Sequence, residues 1–353
     1  MPLSDGLRSL LTAAGPSGYE RAPAAAFAAL GRKFTDDVVT DVMGSVAARV
    51  PGTQPGSPFL AIVGHIDEIG LIVTHIDDDG FLSFTGVGGW DPMILVGQRV
   101  ELLTREGTVL GVVGKKPIHL LRDEERKKVP EIRDLHLDIG APDGDAAKAA
   151  VRIGDVAVIA GEPVEVMGDR VISRSMDNRL GSYIALEAAR LVAEGGGAPG
   201  DVAALGVVQE EITFGGARTS AFALEPDVAI AVDVTHATDA PGIDVKQEGK
   251  HEFGGGAVIE RGSTLHPMVF EMLHDAAERE SIPFTVSASA RGTGTDADAI
   301  HFSRAGVPTG LVSIGLRYMH SPVEMVQLSD IDACARLIAA FATSLSPETK
   351  FVR

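Results

Sequence analysis

From about residue 165 onward the chain alternates short apolar runs with amphipathic stretches, and this alternation limits the fold more than any other feature. VAALGVV (202–208), PDVAIAVDV (226–234), PFTVSAS and VPTGLVSIG are short and apolar, as buried strands are. Between them, residues 178–192 carry Leu180, Ile184, Ala188 and Leu191 on one helical face. Val269, Met272, Leu273 and Ala276 mark another helix, and Ile331 to Leu345 a last one. Strands alternating with helices imply an α/β fold with helices on both faces of the sheet, a three-layer α/β/α unit.

The earlier half fits the same unit only in part. The first 30 residues read as two helices, with Ser4 and Asp5 as caps before Leu7, Leu10 and Leu11. PFLAIV (58–63) is a further buried strand. Residues 69–161 then hold GLIVTHI, FLSFTG, RVELLT, GTVLGVVG and DVAVIAG, separated by Gly or acidic turns, a spacing that suggests a small antiparallel barrel or sandwich. The charged stretch 121–134 is expected as an exposed loop. The expected organisation is therefore one α/β unit from residues 1–68 and 165–353, interrupted by a β-rich insert at 69–164. A length of 353 residues agrees with two units, at roughly 150 residues each.

Composition removes several classes of function. A net charge of −18 disfavours the phosphate backbone, so nucleic acid is not expected as a partner. The single cysteine, Cys334, excludes an internal disulfide and a thiolate metal site, and its apolar neighbours Ile331, Leu337 and Ile338 place it in the core. The first residues hold an early acid and no long apolar run, so neither a signal peptide nor a membrane span is expected, and the reading is cytoplasmic. No GxSxG occurs, which argues against acyl-enzyme chemistry.

Four apolar strands end in metal-binding side chains or lead to them. PFLAIVGHIDEIG places His65 and Asp67 beyond a strand, and SRSMDNRLG places Asp177 at a helix start. LGVVQEEITFGG supplies Glu210 and Glu211, VAIAVDVTHATD supplies Asp233, and GLRYMHSPVEM adds His320. In open α/β sheets the crevice lies beyond the carboxyl ends of the strands, so these groups converge. Two imidazoles with several carboxylates suit a pair of zinc-like ions, and the Glu210-Glu211 pair offers a ligand beside a general base. Adjacent acids also admit a glycoside hydrolase, although that chemistry wants carboxylates on opposite sides of a sugar. A deacylase, a carboxypeptidase and a non-catalytic assembly protein are the other readings.

The contexts GHIDEIG, SMDNRLG, QEEITFGGA, AVDVTHATD and RYMHSPVE, in this order, resemble the M42 family of metallo-aminopeptidases. The resemblance runs from about residue 5 to 345. It implies a zinc-peptidase-like catalytic unit, an insert that serves dimerisation, and dimers that can build a twelve-subunit tetrahedral shell. It implies two divalent ions per subunit, zinc first, with cobalt or manganese also accepted. His65, Asp177 and Asp233 would hold one ion, and Asp177, Glu211 and His320 the other, with Asp177 as bridge. Glu210 would be the general base for a metal-bound hydroxide that attacks short peptides at their free N-terminus, and Asp67 would fix the His65 ring. A cis peptide is implied after Asp177.

Other residues are less committed. His236 is open to a substrate role, and Asp296, in GTGTDADAI, is either a helix cap or a substrate-side residue. Arg317 either meets substrate or pairs with a structural acid.

Overall fold

The computed structural model describes residues 2–352. Its spine is four parallel strands, in spatial order Val202–Val207, Leu60–His65, Val228–His236 and Thr309–Arg317. Val207 pairs with His65, Ala231 with Val63, and Asp233 with Ser313, so the polar residues cluster at the carboxyl ends of these strands. Antiparallel strands widen the sheet to eleven. Val46–Val50 and Val38–Thr40 flank one side; Glu324–Gln327, Arg170–Ser173 and Val164–Val166 flank the other.

Alternation along each strand feeds two cores. Leu60, Ile62, Ile230, Val232, Val312 and Ile314 pack with five helices: Asp5–Thr12, Arg21–Gly31, Met176–Glu194, Pro267–Arg279 and Leu328–Ser344. Ala61, Val63, Ala203, Leu205 and Ala229 face the other way, against Gly215–Leu224 and Ala297–Ile300. The three layers expected from the sequence are present, and Ser4 caps the first helix by accepting from Leu7 N. Cys334 is buried in the larger core.

The insert closes into a barrel of its own. Its strands run Gly70–Ile76, Leu82–Val87, His136–Asp138, Gly107–Gly114, Arg99–Thr104 and Val156–Ile159 around a separate core that includes Leu71, Phe84, Leu102 and Leu137. Of the two shapes the spacing allowed, the barrel is the one formed. Its closing strand, His136–Asp138, has only three residues and carries no pattern of its own. The stretch before it is largely exposed and forms short 3-10 turns at Glu125–Lys127 and Ile132–Asp134. Among the described residues no helix is long and apolar enough to cross a membrane.

Two buried polar devices set the approach of helix to sheet. Helix Met176–Glu194 crosses the central strand at Gly64, where a Cβ would stand 2.4 Å from the Gly181 carbonyl carbon and from the Ser182 nitrogen. Asn178, the only asparagine in the sequence, locks this crossing. Its Nδ2 donates to the Val232 carbonyl at 2.7 Å, and its Oδ1 accepts from Gly181 N at 2.8 Å. The Asp177–Asn178 bond is cis, as the family resemblance implied. The second device is Glu68, buried between the guanidinium groups of Arg174 and Arg179. Arg179 also donates to the carbonyls of Leu10 and Ala13, and Glu68 accepts from Gly15 N, so the N-terminal segment is pinned to the strand that bears His65.

The Gly64 contact is with backbone and cannot be relieved by turning a side chain. Gly64→Ala is expected to lower unfolding stability by about 1–3 kcal/mol, the usual cost of overpacking. Urea denaturation followed by circular dichroism measures this, and an unchanged midpoint would contradict the close crossing.

Candidate metal centre

The carboxyl ends of the parallel strands open into a crevice of about 500 Å³. His65, Asp177, Glu210, Glu211, Asp233 and His320 line it, so the structure brings together all five expected ligands and the expected base. Asp67 sits behind them, fully buried.

Each side chain is aimed by its own element. His65 ends its strand with only 1% of its surface exposed. Its Nδ1 lies 3.3 Å from Asp67 Oδ1, which turns Nε2 toward the crevice, 3.2 Å from Asp177 Oδ1 and 3.6 Å from Glu210 Oε2. Asp67 does more than the sequence suggested. Its Oδ1 accepts from Glu210 N and its Oδ2 from Glu211 N, both at 3.1 Å, so one carboxylate aligns the histidine and the acidic pair. Glu210 and Glu211 open a single turn, Glu210–Thr213, entered through Gln209 in the left-handed region (φ 59°). Asp233 is buried in its strand, with Oδ1 accepting from Val234 N at 2.8 Å.

His320 comes from the loop after the last parallel strand and is half-buried. Its Nδ1 is 3.0 Å from the carbonyl of Gly89, a residue of the barrel insert. Its Nε2 lies 3.4 Å from Asp177 Oδ2 and 3.3 Å from Glu211 Oε1. Asp177 thus lies between the two histidines, with one oxygen toward each. Donor atoms of His65, Glu210 and Asp233 fall within 4.8 Å of one another, as do those of His65, Asp177 and Glu211. Glu210 therefore stands as near to His65 and Asp233 as a ligand would.

The electrostatics are those of acids crowded away from water. Burial, reinforced by Asp233, Asp296 and Glu211, pushes the Glu210 carboxyl up to about 10. Burial likewise raises Glu211 and Asp233. Burial would raise Asp177 as well, but His320 and His65 outweigh it and hold that carboxyl far below the usual range. Asp177 and Glu211 in turn push His320 up to about 11. Oxygen and imidazole donors without thiolate suit zinc, cobalt or manganese, and a divalent charge is what this surplus of acids lacks. Glu211 Oε1 is buried with His320 Nε2 at 3.3 Å, an oxygen and an imidazole donor that one cation could take together.

Several undecided residues find their places. Asp296 makes no capping hydrogen bond, so the helix-cap alternative does not hold. It is 2% exposed, and neither of its carboxylate oxygens has a hydrogen-bond partner. Burial pushes it up to about 7. His236 is exposed on the crevice wall with Phe214, Thr235 and Met319. Arg317 pairs with Asp239 at 2.6 Å and lies over the Phe253 ring. A further grouping, His274 with Asp275 and Glu278, lies on a helix surface where the two acids are exposed. Glu324 was not among the expected site residues. It lies buried against both Asp177 and His320, and the only signal for it was its place at the end of RYMHSPVE.

A layered α/β unit with a barrel insert and an acid-rich crevice beyond its parallel strands is a fold shared with solved aminopeptidases. The chain belongs to the M42 aminopeptidase family: the family model described as M42 glutamyl aminopeptidase matches residues 44–337. A lysyl aminopeptidase of Pyrococcus furiosus is 33% identical over 97% of this chain and 97% of its own length. A TET aminopeptidase from a marine sediment archaeon of the Thaumarchaeota superposes with a TM-score of 0.91 at 33% identity, covering 97% of this chain and 96% of that one. A TET1 peptidase of Pyrococcus horikoshii, which can assemble into a tetrahedron or a large octahedral shell, gives 0.84 at 29% identity over 97% and 99%. The protein is thus an aminopeptidase, a hydrolase acting at N-termini.

Glu210 at about 10 and His320 at about 11 are both raised, so in the protein alone both carry a proton at neutral pH and lose it only in alkaline solution. A divalent cation requires the deprotonated imidazole, so its binding releases protons and tightens as pH rises from about 6 to about 9. Calorimetric titration in buffers of different ionisation enthalpy reads this release; an affinity that falls with pH would contradict it.

Proposed function

We propose that the crevice holds two divalent cations and removes N-terminal residues from short peptides. The support is the Asp177 carboxylate, which turns one oxygen toward His65 at 3.2 Å and the other toward His320 at 3.4 Å. A carboxylate with a different partner on each oxygen suits a site that would take two ions. His65, Asp177 and Asp233 would hold one ion, and Asp177, Glu211 and His320 the other, with zinc first and cobalt or manganese as alternatives. Bound there, such ions supply Lewis acidity for the scissile carbonyl and for water.

The chain's own groups do the rest. Glu210, ionised once cationic charge offsets the crowded acids that hold its proton, takes the proton of the attacking water and returns it to the leaving amine. Its carboxyl faces the crevice beside His65, and its backbone is held by Asp67. Asp67 keeps the His65 ring oriented, the task of an acid behind a ligating histidine. A glycosidase is disfavoured by the same geometry. Glu210 and Glu211 share one helical turn and one anchor, rather than facing each other across a sugar.

Glu210→Gln is expected to lower kcat by about 100-fold to 10,000-fold with cation content unchanged. Chelation should abolish wild-type activity and added Zn²⁺, Co²⁺ or Mn²⁺ restore it. Full hydrolysis by the variant would remove the general base, and cleavage of N-acetylated peptides would point to a deacylase.

The barrel insert, residues 69–164, is proposed as the dimerisation surface, with a twelve-subunit shell as the higher assembly. Leu110, Ile118, Leu120 and Val129 support this, each more than 60% exposed on that unit. Light scattering should give a mass at least twice 36.8 kDa, reduced by Leu120→Asp. A monomeric wild type would refute the assembly.

A further inference from the structure

Glu324 opens the short strand Glu324–Gln327 and is 2% exposed. Its Oε2 accepts from Met176 N at 2.7 Å and from Asp177 N at 3.2 Å. Its Oε1 accepts from His320 N at 2.9 Å. One carboxylate therefore receives the backbone of two crevice residues that come from distant parts of the chain. Both segments pass through the left-handed region without glycine, at Ser175 (φ 59°) and at His320 itself (φ 57°). Backbone in that region is disfavoured for side-chain-bearing residues and persists where neighbours over-determine it. Three backbone N–H groups converging on one buried carboxyl group provide such a constraint.

We propose that Glu324 is a positioning residue that sets the spacing of Asp177 and His320, and so the strength of the cation site they share. The inference rests on the two-cation reading above. Glu324 has both oxygens engaged by backbone N–H groups and acts through Asp177 and His320, one on each carboxylate oxygen. No smaller or neutral side chain replaces it. In Gln one oxygen becomes an amide NH2, so either the Asp177 side or the His320 side meets a donor instead of an acceptor. In Asp the arm is one methylene shorter and cannot reach both segments as placed.

The test is a Co²⁺ titration of the whole protein, followed by calorimetry and by the visible absorption of the bound ion. Wild type, His320→Ala, Glu324→Gln and Glu324→Asp are compared. His320→Ala identifies which of two binding events includes that histidine. Glu324→Gln and Glu324→Asp should each weaken the same event by about 10-fold to 100-fold, the usual cost of losing a group that orients a ligand. The other event, which shares Asp177 but not His320, should weaken clearly less, and the far-ultraviolet circular dichroism should be unchanged. Unaltered affinities in both Glu324 variants overturn the proposal. An equal loss at both events, or a collapse of the circular dichroism in both variants, assigns Glu324 to general stability and also overturns it. A wild type that binds fewer than two ions overturns the two-cation reading instead, which separates the two failures.

Discussion

Carboxylates removed from water and set against one another are the constraint to which the rest of the molecule answers. Asp177, Glu210, Asp233 and Asp296 are all buried, with two imidazoles to balance them. An ionised acid out of water costs several kcal/mol unless paired. The protein meets this cost unevenly. Asp177, between two histidines, stays ionised, whereas Glu210, Glu211 and Asp233 are driven toward their protonated forms. A site divided in this way is poised for positive charge and is poorly stable as a purely structural feature.

The crevice residues are held from behind by groups that never face it. Asp67 aligns His65 with the Glu210-Glu211 turn, and Asn178 ties the helix bearing Asp177 to the strand bearing Asp233. Glu68, between Arg174 and Arg179, fastens the N-terminal loop to the strand bearing His65. These supports are polar and buried, and each joins elements distant in sequence. Gly64 and Gly181 permit them by letting helix and strand backbones approach.

Much of this was legible before any coordinates. The apolar runs ending at His65 and Asp233 announce buried strands with polar tips. The helix from Asn178 shows its face through Leu180, Ile184 and Ala188. Of the supports, Asp67 was legible through its place two residues after His65, and the others were not. Glu324 reads as an ordinary acid after a proline, because its partners lie at Met176, Asp177 and His320 and no local pattern records them. Asp296 is left open between a cap and a substrate-side residue because Asp before a helix suits either, and only the structure shows it buried and without a hydrogen-bond partner. Strands of three residues, such as Val38–Thr40 and His136–Asp138, are too short to display a period; the sheet and the barrel create them by offering an edge.

The hydrogen bond from His320 Nδ1 to the Gly89 carbonyl crosses from one unit to the other. It fixes the ring's tautomer, and with it the electron-donating power of Nε2. The donor strength of a histidine in the sheet unit is thus written partly in the backbone of the barrel. Any displacement of the barrel against the sheet would therefore reach the crevice through a single carbonyl group.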